Sequence, residues 1–317
     1  MVDTSLISTI SNSILYIINL SAYLILIKYL QISYNYNNFW YNTLLSIILS
    51  PFYLFFCCKP SVINRIRNYG IVMLYPIFAG LIYTFESILL YYSVNNLNLS
   101  YYTILRSSFI IWNIPFFIVL LKKKSSNLYY FGTILLILSY MIIIYYYVNK
   151  NYDLINPTIS IIVSCLLNTC YNIMIEYSIK KYNIYNLDFH AIFQISYFIF
   201  AVIPSIYMTL DNPPPISYTV LVVSGIISLC LQMYFYNKII ILENNNQLVP
   251  SNVLMAGLDL IRRLVLLLFA FIMYNDDFNI YIAISVTLFL LSGIFIFWEY
   301  VKPFRKKIVE YTEMDEI

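Results

Sequence analysis

The amino-acid sequence predicts an all-α integral membrane protein, with about ten transmembrane helices arranged as two inverted five-helix repeats. Hydrophobic residues make up 61% of the 317 residues and charged residues only 10%, whereas a soluble domain carries roughly 25% charged residues. The hydrophobic residues fall in runs of about 20, the length that crosses a bilayer as a helix. The two halves of the chain also align with each other at one offset.

Apolar runs separated by short polar connections define the predicted spans. No connection is long enough to hold a soluble domain. The first run lacks the basic residues and the small-residue cleavage site of a signal peptide, so we expect it to be a retained helix. The ten spans are placed at 8–30, 38–57, 71–94, 101–121, 128–148, 157–179, 190–210, 217–241, 249–274 and 279–300.

Lysine and arginine residues outside the spans predict the orientation, because cytosolic connections are enriched in both. With ten spans and a cytosolic N-terminus, Lys150 is the single basic residue in a connection on the opposite face. The C-terminus is then cytosolic as well. The cytosolic connections and tail carry twelve basic residues: Lys59, Arg65, Arg67, Lys122, Lys123, Lys124, Lys180, Lys181, Lys302, Arg305, Lys306 and Lys307.

The chain aligns with itself at an offset of 153 residues, as Pro51 and Pro204 illustrate (204 − 51 = 153). The offset superposes the first five spans on the last five and divides the chain into a repeat at 1–152, a repeat at 153–300 and a cytosolic tail at 301–317. Because five is odd, the second repeat must be inverted relative to the first. Inverted repeats are typical of secondary transporters, whose substrate site lies near the midplane where the halves meet. Further matches at this offset are Asn19 with Asn172, Lys28 with Lys181, and Ser139 with Ser292.

Ionisable residues within the spans are the strongest candidates for a substrate site, because each costs at least about 2.5–3.5 kcal/mol at bilayer depth. Arg106 in the fourth span and Asp259 in the ninth span are equivalent at the offset of 153 residues. We therefore expect these opposite charges to face each other in a central cavity and, with Arg262, to bind substrate. The alternative is that Asp259 only neutralises Arg262 or Arg263 along its own helix.

Two acidic residues and two asparagines extend this candidate site. Glu86, deep in the third span, is a candidate proton-coupling acid; its alternative role is a partner for Lys238 or a polar lining residue. Glu176 is a second candidate acid, close enough to a helix end to snorkel. Asn168 and Asn172 share a face of the sixth span with Glu176, where they either line a polar substrate cavity or bond neighbouring helices.

Three segments carry a family resemblance. The first has a leucine-arginine-small step, with Arg106 and Ser107 at its polar positions, and reads NLNLSYYTILRSSFIIWNIPFFIVLLKKK. The second has Glu176 at an acidic position and reads IEYSIKKYNIYNLDFHAIFQISYFIFAVIPSIYM. The third has a leucine-aspartate step with an arginine three residues on, at Asp259 and Arg262, and reads MAGLDLIRRLVLLLFAFIMYNDDFN. They resemble the fourth, the sixth to seventh, and the ninth to tenth helices of the drug/metabolite transporter superfamily, in particular its solute carrier 35 branch near the F subfamily and the chloroquine-resistance-type transporters.

This resemblance implies ten helices, two inverted repeats and alternating access, in an intracellular organelle membrane. It adds Ser107 to the substrate-binding residues, beside Arg106. It leaves the substrate open, since relatives carry nucleotide-sugars, phosphorylated sugars, amino acids, peptides or drugs. The Arg262-Arg263 pair also resembles the basic pair of the phosphate- and nucleotide-sugar-carrying relatives, which favours an anionic substrate, but Asp259 one turn away offsets one charge.

We therefore expect a secondary active transporter for a small polar or charged solute, and not an enzyme. Its expected partners are that solute and the lipid bilayer; a co-transported proton and a homodimer are compatible with such a carrier. No nucleic acid is expected, because the basic residues are scattered at the ends of apolar runs. No cofactor or metal is expected, because the five cysteines lack metal-ligand spacing. Two alternatives stay open: a non-transporting scaffold or receptor, and a membrane-embedded transferase.

Overall fold

The computed structural model describes a large part of the chain, all of it helices and short turns. Among these residues no strand occurs, which confirms the all-α class. Side chains are described except at 45, 176, 179–180, 186–187 and 251–261. The described residues are 21–22, 24–25, 27–29, 31–35, 38–47, 50, 60–109, 111–112, 127–182, 184, 186–214, 251–274, 276 and 278–296.

The main helices are numbered in chain order. Helix α1 covers the described residues between 21 and 34, and α10 covers 280–296. The others are α2 Phe39–Ile47, α3 Pro60–Tyr69, α4 Leu74–Asn96, α5 Leu99–Arg106, α6 Asn127–Lys150, α7 Ile155–Tyr182, α8 Asn186–Asp211 and α9 Ser251–Met273.

Four helical stretches among the described residues are long and apolar enough to cross a membrane: Pro60–Asn96, Asn127–Lys150, Tyr152–Ile175 and Asp188–Asp211. They correspond to the predicted third, fifth, sixth and seventh spans. Their length and composition are those expected of a membrane protein. Helices α1, α2, α5, α9 and α10 match the first, second, fourth, ninth and tenth predicted spans in position. The eighth span, 217–241, lies outside the described residues. The total of ten spans therefore stays a prediction.

Helix α3 lies where the sequence analysis predicted a connection between the second and third spans. Pro60 occupies its first position, where a missing backbone N–H costs nothing. Gly70, with φ of 54°, follows α3 and begins the short 3-10 helix Gly70–Met73 that leads into α4; this left-handed backbone favours glycine. Arg65 of α3 donates two hydrogen bonds, of 2.7 and 2.9 Å, to the carboxylate of Asp188 at the start of α8. The connection is therefore a helix fastened to the bundle.

Helix α4 lies inside the described bundle, in contact with α2, α7 and α8. Gly80 lets α4 and α8 approach closely, since a Cβ at this position would lie 2.9 Å from both the Phe193 carbonyl oxygen and the Tyr197 backbone nitrogen. Helix α9 packs on α5, and α5 also contacts α7. The packing thus brings α4, α5, α7 and α9 around one interior region.

Candidate functional site

Glu86 of α4 and Arg106 of α5 form an ion pair in that interior region. Arg106 Nη2 lies 2.5 Å from Glu86 Oε1, and the side chains are 12% and 2% exposed respectively. Glu86 follows the first residue of α4 by twelve positions and precedes the last by ten. At the rise of an α-helix it lies about 15–18 Å from either end. The pair is therefore deep within a helix long enough to cross a membrane.

Helix α7 supplies polar side chains around the pair. Arg106 Nη1 donates a hydrogen bond of 2.9 Å to Ser164 Oγ. The Asn168 side chain interacts with the Glu86 carboxylate and donates from Nδ2 to the Tyr171 hydroxyl at 3.1 Å. Both charged groups are thus oriented by partners from a helix of the second predicted repeat.

A second guanidinium, that of Arg263 on α9, is buried beside α5. Its Nη1 donates to Ser107 Oγ at 3.1 Å and to the Thr103 carbonyl oxygen at 3.5 Å. The guanidinium carbon lies 5.1 Å from the centroid of the Phe109 ring, within the range of a cation–π contact. Helix α9 therefore places a cation against the same part of the chain that carries Arg106.

Tyr102 of α5 lies near both of these groups. Its side chain is buried and lies within electrostatic range of Glu86, Arg106, Arg262 and Arg263. Arg262 is half-buried. We call the four charged residues Glu86, Arg106, Arg262 and Arg263 the charged cluster. By residue type it contains three positive charges and one negative charge.

Aromatic rings border the ion pair on the side of α7 and α8. The ring of Tyr83, one turn before Glu86 on α4, lies 5.0 Å from that of Tyr171, 5.2 Å from that of Phe193 and 4.7 Å from that of Tyr197, between centroids. Rings packed this closely exclude water, and electrostatic interactions strengthen where water is excluded. A few convergent polar groups beside aromatic walls are typical of small-molecule sites.

The structure brings together some of the residues predicted to bind substrate. Ser107 accepts a hydrogen bond from Arg263, so a protein cation already engages its hydroxyl. Asn172 is exposed, and its Nδ2 donates to the backbone and side-chain oxygens of Asn168 at 2.9 and 3.0 Å. Four predicted residues lie in or beside the charged cluster: Arg106, Ser107, Asn168 and Arg262.

The predicted pairing of Arg106 with Asp259 stays a prediction, because the Asp259 side chain lies outside the described atoms. Helix α9 does pack against α5, as that pairing requires. The Glu176 side chain and the whole of Lys238 lie outside the description too. Among the described residues, Arg106 pairs with Glu86, a partner that the sequence analysis did not assign to it.

The pair of Glu86 and Arg106 had a signal in the sequence. Glu86 lies ten residues before the end of α4 and Arg106 lies seven residues after the start of α5. Antiparallel helices joined by a two-residue turn place these positions within about 5 Å in depth. Opposite charges at matched depth on consecutive helices predict an ion pair, since each charge alone is costly in a bilayer.

No protein-family model matches this chain, and no curated protein matches it. The family resemblance of the three sequence segments therefore stays a prediction. Within the part of the chain that is described, no group of histidine, cysteine, aspartate and glutamate side chains is arranged to hold a metal ion. The charged cluster is accordingly the main guide to function.

Proposed function

We propose that this chain is a secondary active transporter, which moves a small polar or charged solute across an organelle membrane by alternating access. The observation that carries the proposal is the buried pair of Glu86 and Arg106. Ionisable groups at this depth mark substrate or ion pathways by default. The pair belongs to helices of the first predicted repeat, and α7 and α9 of the second repeat surround it. Substrate sites of inverted-repeat carriers lie at such a boundary.

Contacts between equivalent helices support the inverted repeat. At the offset of 153 residues, α2 corresponds to α8, α5 to α9 and α6 to α10. Each of these helices packs against its own counterpart. Two halves related by a twofold axis make contacts of this kind, because a helix beside the axis meets its own equivalent.

The contact between α6 and α10 supports the same symmetry at single residues. The hydroxyls of Ser139 and Ser285 lie 2.9 Å apart, and each is within 2.9 Å of the other residue's carbonyl oxygen. The offset relates Ser139 to Ser292 and Ser285 to Gly132. The symmetry therefore predicts that Ser292 and Gly132 are also in contact. A Cβ on Gly132 would lie 3.1 Å from the Ser292 carbonyl oxygen.

Uptake into liposomes tests the proposal. The purified protein is reconstituted and offered radiolabelled nucleotide-sugars, sugar phosphates, basic and neutral amino acids, and amphipathic cations, each with and without a pH gradient. We expect saturable uptake of one class. We expect this uptake to be lost in a folded Arg106→Ala/Asp259→Ala variant and kept in Arg67→Ala, which changes an exposed arginine of α3.

Two results would contradict the proposal. If the folded Arg106→Ala/Asp259→Ala variant transports as well as the wild type, the buried charges do not form a substrate site. If the folded wild type moves no solute of the panel, the scaffold or receptor alternative is favoured. The organelle membrane and the cytosolic termini belong to the same proposal, and protease protection of terminal tags in sealed organelle vesicles tests them.

A further inference from the structure

The geometry points to a small organic anion as the substrate, whose carboxylate or phosphate group replaces Glu86 on Arg106 while the released Glu86 takes up a proton. Transport would then be a symport of the anion and a proton. This inference rests on the proposed function and names the substrate class and the coupled ion of the same site.

The formal charge of the region favours an anion over a cation. The charged cluster holds three arginines and one glutamate. Asp259, one turn before Arg262 and Arg263 on α9, adds a second carboxylate by residue type. Three positive charges against two negative charges leave a net charge of +1. A cationic substrate would raise this charge in a medium of low dielectric constant, whereas a monoanion that enters with a proton leaves it unchanged.

Arg106 is the guanidinium placed to exchange partners. Arg106 is half-buried, whereas Arg263 is buried and is held by Ser107 and the Phe109 ring. A guanidinium is a planar fork of donors that fits both carboxylate and phosphate oxygens. Ser164 accepts from Arg106 Nη1, whereas Nη2 is bonded to Glu86. An incoming anion can therefore take Nη2 while Nη1 stays anchored.

Release of Glu86 from Arg106 favours protonation of its carboxylate. A buried carboxylate without a cation costs several kcal/mol, and such a group becomes neutral instead. Asn168 from α7 also contacts Glu86, but an amide cannot neutralise it. Among the described side chains, three tyrosines from α4, α5 and α8 also interact electrostatically with Glu86: Tyr83, Tyr102 and Tyr197.

The exchange is balanced in charge. One guanidinium–carboxylate contact breaks, one guanidinium–anion contact forms, and one proton passes from water to a Glu86 oxygen. For a monoanion the loaded site has the same charge as the empty site, so its transport is electroneutral. A dianion adds one negative charge for each cycle.

Proton-driven accumulation tests the inference. Gluconate supplies a carboxylate, inorganic phosphate and glucose 6-phosphate supply phosphate groups, and putrescine and glucose serve as cationic and neutral probes. With the outside of the liposome one pH unit more acidic, an electroneutral 1:1 symport of a monoanion accumulates it about tenfold. A pH indicator inside the liposomes should report one proton for each monoanion. A clamped membrane potential should leave monoanion uptake unchanged.

Variants of Glu86 separate coupling from structure. In Glu86→Gln we expect exchange of internal for external anion to continue while the pH gradient no longer drives accumulation. Glu86→Asp, which keeps a carboxylate, should keep proton-driven accumulation. Asp153→Asn removes an exposed acid between α6 and α7 and should behave as the wild type. If Glu86→Gln does not fold, the wild type still tests the inference. Entry of one proton with each monoanion supports symport, and entry of the anion without protons rejects it.

Other outcomes overturn the inference alone or together with the proposed function. Uptake of putrescine or glucose in place of the anions would keep the carrier and reject the anion. Anion uptake without proton movement, or a Glu86→Gln variant that still accumulates anion in a pH gradient, would reject the exchange. Failure of the folded wild type to move any solute would reject the transporter itself.

Discussion

Lys28 and Lys181 correspond to each other at the offset of 153 residues, yet Lys28 is 8% exposed whereas Lys181 is exposed. Lys28 Nζ donates to the carbonyl oxygens of Val94 and Leu97 at the end of α4, at 2.9 and 2.8 Å. Lys181 donates to the hydroxyl of Tyr177 on its own helix. The last carbonyls of a helix carry partial negative charge, so Lys28 caps α4.

Loss of this cap should destabilise the protein. Lys28→Met leaves the two carbonyls without their charged donor, and we expect a loss of about 2 kcal/mol in the free energy of unfolding. Lys181→Met changes the equivalent lysine at an exposed position and should have little effect. The measurement is thermal unfolding of both purified variants in one detergent. Equal effects of the two variants would contradict the described role of Lys28.

The ion pair of Glu86 and Arg106 predicts a non-additive effect on stability. Arg106→Gln leaves a buried carboxylate without its cation, which costs roughly 3–5 kcal/mol. Adding Glu86→Gln removes the unpaired charge, so the double variant should be more stable than Arg106→Gln alone. Unfolding midpoints of the wild type, both single variants and the double variant check this. Losses that simply add would show that the two residues do not interact.

The close contact of α6 with α10 predicts a steric effect at Gly132. A Cβ there would lie 3.1 Å from the Ser292 carbonyl oxygen and 2.9 Å from Ile296 Cγ1. We expect Gly132→Val to destabilise the protein by about 1–3 kcal/mol, the usual cost of overpacking. Ile134→Val, on an exposed side of the same helix, is the control. A Gly132→Val protein with the wild-type melting temperature would contradict this packing.

The contact of Arg65 with Asp188 predicts that α3 depends on one ion pair. The Asp188 side chain is fully buried whereas that of Arg65 is 41% exposed. Arg65→Met should loosen α3 and increase thiol labelling at Val62→Cys, a buried position of α3, in a background without native cysteines. Arg67→Met, two residues away and exposed, should leave labelling low. Similar labelling in both variants would show that α3 is held by other contacts.

Span length and composition were sufficient to predict the helical class. A run of about 20 apolar residues requires a helix in a bilayer whatever its neighbours are. The segment that forms helix α3 is short and polar. It lacks the apolar run that predicts a transmembrane span, so the sequence predicts a connection there. It is fastened by Arg65 and Asp188, which are 123 residues apart in the chain, and pattern analysis of a local segment does not detect such a contact.

The sequence predicts several residues of the candidate site, but it does not predict that Arg106 pairs with Glu86. An ionisable side chain within an apolar run is costly enough to indicate Arg106 from the sequence alone, the face shared with Glu176 indicates Asn168, and the family resemblance adds Ser107. The offset between repeats identifies equivalent positions, but it does not say which side chains touch. The short turn after α4 decides that Glu86 meets Arg106. For Asp259, the partner predicted for Arg106, the structure describes the backbone in α9 but not the side chain.

Counterflow tests alternating access most directly. Liposomes loaded with the unlabelled solute are diluted into labelled solute, and the label inside is followed with time. One site that opens alternately to the two sides couples the two fluxes, so we predict that label rises transiently above its equilibrium level in the wild type. The folded Arg106→Gln variant should show no such rise. Uptake of label by the wild type at a rate independent of internal solute, with no rise above equilibrium, would contradict a carrier.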